Sequence, residues 1–70
     1  MDVLSEVTGT VWKVVVNDGD TVQEGQTLVI VESMKMEIPV EAPASGQATI
    51  LVQEGSAVEE GMIVARIGAA

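Results

Sequence analysis

What this chain offers for chemistry lies within six residues: Glu32, Ser33, Met34, Lys35, Met36 and Glu37. Lys35 carries a primary amine on a four-carbon stem, the natural acceptor of an acyl group. An ordinary lysine amine, of pKa about 10.4, is neutral in about one molecule in 2,500 at pH 7, a cost of roughly 4.6 kcal/mol. The sequence places no second cation next to Lys35 and shows no apolar pit around it. To act as a nucleophile it therefore needs an enzyme that supplies an activated donor and a base. Met34 and Met36 are unbranched and adaptable, suited to a surface that other proteins recognise. This residue set describes a substrate and then a carrier.

The rest of the composition narrows the field further. The 70 residues contain no His and no Cys, which removes imidazole and thiolate catalysis, His- or Cys-based metal sites, haem attachment and disulfides. Net charge is −8, with Lys13, Lys35 and Arg66 as the only cations, so there is no electrostatic footprint for nucleic acid or an anionic membrane. A lone Trp12 makes no base-stacking platform. No stretch approaches the ~18–20 apolar residues of a membrane span, and the start lacks the basic and apolar regions of a secretory signal. A soluble cytoplasmic domain, monomeric and without metal, is the expectation.

The elements that must present Lys35 follow from the run Leu28–Ala42, fifteen residues without Gly or Asn. As one strand it would be about three times the usual ~5–6 residues. It would also put Pro39, with no N–H to give, deep in a ladder. The chain must turn around Ser33–Met36, with Met34-Lys35 at the tip. A two-residue hairpin favours Asn-Gly or Asp-Gly, because both central residues need φ > 0. Met-Lys there costs roughly 1–3 kcal/mol of backbone strain. A domain of 70 residues has only a few kcal/mol of stability, which makes this tip the candidate for a place where those side chains are needed.

The second half of the chain repeats the first. Gly9–Val14 matches Gly46–Leu51 at an offset of 37, and Gly19–Gly25 matches Gly55–Gly61 at an offset of 36, so one residue has been lost between. The pattern continues through Leu28–Val31 against Val64–Ile67, giving repeats of about 9–31 and 46–67. Two copies of one unit imply a single pseudo-twofold domain over 1–70 with a shared core. The glycines are read as turn residues needing φ > 0. With 13 Val, 5 Ile and 5 Thr, strands are favoured over helices. They are predicted at Asp2–Thr8, Thr10–Val16, Thr27–Glu32, Glu37–Ala42, Gln47–Gln53 and Met62–Ile67. Short pieces around Thr21–Gln23 and Ala57–Glu59 would raise the count to eight. The fold class is all-β, an antiparallel sandwich or flattened barrel. Apolar spacing of three (Val11/Val14, Ala48/Leu51) suggests a bulge or two buried faces.

Blander readings exist for each residue. Lys35 could be a gatekeeper beside the apolar run Leu28–Val31. Lys13 reads as a solvated or snorkelling side chain, Trp12 as core or partly covered, and Glu24 and Glu60 as solvated turn residues.

The segment Glu32-Ser33-Met34-Lys35-Met36-Glu37 resembles the biotin attachment motif of the biotinyl/lipoyl attachment domain family, of the biotin carboxyl carrier type. Gly19–Gly25 and its copy Gly55–Gly61 fit the same family, and the likeness covers essentially the whole chain. It is nearest to the free-standing, single-domain biotin/lipoyl attachment proteins. Nothing is inserted between Val16 and Gly19, so the "thumb" of some carriers is absent. The resemblance implies two four-stranded sheets with quasi-twofold symmetry, Lys35 on a hairpin at one end and both termini at the other. It implies biotin joined to Lys35 by an amide, installed by biotin protein ligase from biotinyl-adenylate. Met34, Met36 and Glu32 would be recognition residues. Biotin carboxylase and carboxyltransferase would be the partners between which a carboxyl group travels, the domain itself being no enzyme. Tethering gives the cofactor a high effective concentration at each site. Two alternatives remain open. One is a lipoyl carrier of a 2-oxoacid dehydrogenase-type complex, whose tip usually reads Asp-Lys-Ala. The other is an unmodified barrel-sandwich interaction module.

Overall fold

The computed structural model describes residues 1–68; Ala69 and Ala70, the end of the expected 1–70 domain, lie outside the described residues. Eight strands are present: β1 (Asp2–Leu4), β2 (Gly9–Val14), β3 (Thr21–Val22), β4 (Thr27–Ser33), β5 (Met36–Glu41), β6 (Gly46–Ile50), β7 (Ala57–Val58) and β8 (Ile63–Gly68). They form two four-stranded antiparallel sheets, ordered β1-β8-β6-β3 and β5-β4-β2-β7. The stiff, compact side chains of Val3, Val11, Val22, Val29, Val31, Val58 and Val64 fill the space between the sheets, with Leu28 the largest fully buried residue. Valine suits this thin interior because its single preferred χ1 rotamer packs well on a pleated surface.

Several expected strands are shorter than the sequence suggests. Asp2–Thr8 contracts to Asp2–Leu4, Thr10–Val16 becomes Gly9–Val14, and Gln47–Gln53 becomes Gly46–Ile50. The chain beyond each end still bridges to its neighbour, as in Val15 N–H to Leu28 O (2.9 Å) and Leu51 N–H to Val64 O (2.9 Å). These are isolated bonds and do not extend the ladder. Pro39 is accommodated because β5 is an edge strand that pairs only with β4, so no second neighbour requires its missing N–H.

The repeat is reproduced bond by bond. Gly19 N–H donates to Ala48 O and Gly55 N–H to Val11 O, both at 2.7 Å. Ala48 N–H donates to Asp20 O and Val11 N–H to Ser56 O, both at 2.8 Å. Each sheet order becomes the other on exchanging β1 with β5, β8 with β4, β6 with β2 and β3 with β7. The structure also locates the residue lost between the copies. β2 shifts register against β4 between Val11 and Lys13, whereas β6 runs against β8 without a shift. The surplus residue is the bulge at Trp12. Val14 therefore corresponds to Ile50 and not to Leu51 as the sequence match implied: Val14 N–H donates to a Glu54 carboxylate oxygen, and Ile50 N–H to one of Asp18. Trp12, expected to be core or partly covered, is 50% exposed on the outer face.

The glycines divide into two kinds. Gly25 (φ 87°) and Gly61 (φ 88°) occupy left-handed turns, as expected. Gly9 is required for a different reason. A Cβ there would collide with the carbonyl oxygen of Glu32, so β2 can approach β4 only where no side chain intervenes.

Candidate functional site

β4 and β5 continue into one another through the tightest connection a ladder allows. Glu32 pairs with Glu37 and Ser33 with Met36, leaving Met34 and Lys35 as a two-residue loop. Their φ angles are 52° and 65°, and among the described residues they are the only non-glycine residues with positive φ. This is the left-handed pair that a type I′ hairpin demands. For residues with a Cβ it costs roughly 1–2 kcal/mol each. Burial does not offset that cost, since Met34 is 93% exposed and Lys35 is exposed as well.

Lys35 is exposed at the tip. Among the described residues its amine makes no ion pair; the pair found there joins Arg66 Nε to Asp2 Oδ1 at 3.1 Å, on the other sheet. A group joined to Nζ by an amide displaces no protein contact. The residues present therefore fit a covalently held acyl group. Glu32 and Glu37 are exposed and directly opposite one another, which makes the base of the hairpin anionic. Met34, Lys35, Met36 and Glu32, the four residues singled out from the sequence, thus share one protruding end.

Two further residues position the hairpin. Ser33 Oγ donates to Thr8 O at 2.8 Å, tying the hairpin base to the chain entering β2. Gly9, next along, lets that chain lie against the Glu32 carbonyl. Sequence reasoning missed both roles. Ser33 finds its partner 25 residues away, and no local pattern announces such a bond. Gly9 was visible as a repeat glycine, but as a turn residue rather than a close approach.

Comparison with known proteins agrees with this geometry. A family model described as "Biotin-requiring enzyme" matches residues 2–67. The biotin/lipoyl attachment protein of Bacillus subtilis is 43% identical over 65 residues, covering 91% of this chain and 89% of the relative. The biotin carboxyl carrier protein of acetyl-CoA carboxylase from Solanum lycopersicum is 43% identical over 61 residues, covering 86% and 87%. Among solved structures, the urea carboxylase of Kluyveromyces lactis superposes with a TM-score of 0.92 at 42% identity, over 97% of this chain and 6% of that one.

Proposed function

The chain belongs to the family described as biotin-requiring enzyme, and on that footing we propose that it is a biotin carboxyl carrier domain with Lys35 as its attachment site. One observation carries the assignment to Lys35. The fold holds two residues with Cβ atoms in left-handed conformation to place one exposed amine at the tip of a hairpin. A rigid sandwich fixes the base of the tether, and the four-carbon stem supplies its swing.

In the loading step, Nζ attacks the acyl carbon of biotinyl-adenylate bound by a biotin protein ligase. The acyl C–O bond to AMP breaks, AMP departs, and the amine's surplus protons pass to a base on the ligase. The product is an amide, and the formal net charge falls by one from −8. Biotin, once bound, supplies a ureido nitrogen that takes up and releases a carboxyl group. The chain's part is mechanical and electrostatic. The hairpin carries its load clear of both sheets, Met34 and Met36 offer adaptable apolar contact, and Glu32 adds a negative charge for a cationic partner surface. Biotin carboxylase and carboxyltransferase are the proposed partners, in the cytoplasm, and the domain itself is not catalytic.

Coexpression with a biotin protein ligase tests this, comparing wild type with Lys35→Arg by avidin blot and intact mass. Wild type is expected to gain one biotin and the variant none. Label that survives the substitution would move the site to Lys13, and a lipoyl mass in protein from its own host would replace biotin with lipoate.

A further inference from the structure

Thr8, the residue just before β2, holds two other segments at once. Its carbonyl oxygen accepts from Ser33 Oγ at 2.8 Å, and its hydroxyl oxygen accepts from Glu60 N–H at 3.1 Å. Glu60 belongs to the turn Glu59–Met62, closed by Met62 N–H on Glu59 O at 2.9 Å. That turn is fastened twice more to the bend that contains Thr8, by Ser5 N–H on Met62 O at 2.9 Å and Gly61 N–H on Ser5 O at 2.8 Å. The bend is stiffened from within, since Ser5, 1% exposed, donates its Oγ–H to Val7 O at 2.6 Å. A continuous set of bonds thus runs from the turn, through the bend, to the base of the hairpin.

The other half of the molecule separates what belongs to the fold from what belongs to the tip. Ser45 occupies the place of Thr8, and its Oγ accepts from Glu24 N–H at 3.1 Å. A hydroxyl that takes the N–H of a turn is therefore common to both halves. The glycine that follows is common as well, since a Cβ on Gly46 would collide with Gly68 O as one on Gly9 would with Glu32 O. What the Thr8 half adds is the hairpin. Glu32 leads through Ser33 into the Met34-Lys35 loop, and the Ser33 hydroxyl returns to Thr8.

The last paired residues of β2 and β4 on the way to the tip are Thr10 and Glu32. Past them β4 and β5 run on as a two-stranded ribbon, β5 being an edge strand, and such a ribbon by itself is marginal and twists readily. The Ser33–Thr8 bond holds it on its one supported side. We infer that Thr8 is a positioning residue for acylation of Lys35: its hydroxyl, fixed by the Glu60 N–H, sets the carbonyl that holds Ser33, and with it the angle at which the hairpin presents the amine. Once that hold is lost, the hairpin spends only part of its time in the attitude that a loading enzyme accepts, and apparent affinity falls by that fraction. The inference rests on the carrier reading given above.

Thr8→Val keeps the branched shape and removes the acceptor, and Thr8→Ser restores it. Ser45→Ala removes the equivalent bond at the counterpart turn and is the structural control. Each chain is labelled by a biotin protein ligase, and initial rates are read by intact mass. Thr8→Val is expected to raise KM for the chain about two- to tenfold, the effect of one ordinary hydrogen bond on an equilibrium, with kcat unchanged. Thr8→Ser and Ser45→Ala are expected to match wild type. On unloaded chains, amide nitrogen relaxation should show lower order at Met34, Lys35 and Met36 in Thr8→Val alone. A Thr8→Val KM equal to that of wild type would overturn the inference. So would an equal rise in Ser45→Ala, which marks a general loss of stability, or unchanged hairpin order in Thr8→Val. A wild-type chain that takes no biotin sinks the carrier reading instead, and the relaxation measurement, made before loading, keeps the two failures apart.

Discussion

Glu32 and Glu37 stand directly opposite each other across the β4–β5 ladder, each next to a residue of the pair that closes the Met34-Lys35 loop. Like charges in that relation destabilise a sheet, so the pair opposes the fold. Glu37→Thr is expected to raise stability in urea by about 0.2–1 kcal/mol, toward the lower figure because water screens both groups. The gain should shrink as salt is raised. A loss of stability on removing Glu37 would show that the carboxylate is structurally paired.

The strained tip makes a sharper prediction. Replacing Met34-Lys35 with Asn-Gly supplies residues that accept positive φ. Urea denaturation of that double variant should show a gain of roughly 1–3 kcal/mol, with complete loss of biotin labelling. An unchanged midpoint would mean that the turn stores no strain.

Gly9→Ala should be costly, because the new methyl collides with the Glu32 carbonyl oxygen. A loss of about 1–3 kcal/mol is expected from overpacking, together with slower labelling as the hairpin base shifts. Gly19→Ala is the control. It has open space around its Cβ but a φ of 91°, so its loss of roughly 1 kcal/mol should leave labelling unchanged. Equal labelling rates in the two variants would contradict the positioning role of Gly9.

Leu28, with 0% exposure, is the largest fully buried side chain. Truncation to Ala removes about 2–5 kcal/mol, comparable to all that a 70-residue domain possesses. Far-UV circular dichroism and amide dispersion should show a largely unfolded chain at 25 °C. A cooperative native transition in Leu28→Ala would place the core's stability elsewhere.

The hairpin and its tip were legible because the sequence forces them. Fifteen residues without Gly or Asn cannot run straight, and Pro39 cannot sit in an inner ladder. The repeat was legible because turn glycines recur at fixed spacing, and the resemblance at Glu32–Glu37 pointed to the same end of the molecule. The Trp12 bulge was not legible. A spacing of three in Val11/Val14 fits either a bulge or two buried faces, and only the partner strand β4, against which the register slips, decides between them. The same spacing in Ala48/Leu51 produces no bulge, and Leu51 simply emerges past the end of β6 at 47% exposure. Strand ends were misplaced for a related reason. Val15, Val16, Leu51 and Val52 are apolar like the strand residues before them, but only single bonds, from Val15 to Leu28 and from Leu51 to Val64, continue past the ladder ends. The contact of Ser33 with Thr8 depends on the closed sandwich and leaves no trace in local pattern.

The Met1 ammonium donates to Ile67 O at 2.7 Å, and Ile67 N–H donates back to Met1 O at 2.8 Å. Under the exchange of halves this pairing is the counterpart of Ile38 with Val31, just beneath the hairpin. The point where a second such hairpin would close is thus where Met1 lies, at the opposite end of the sandwich from the Lys35 tip. Sequence joined at that seam would leave the Lys35 tip unobstructed, and the same fold makes up 6% of the Kluyveromyces lactis urea carboxylase chain.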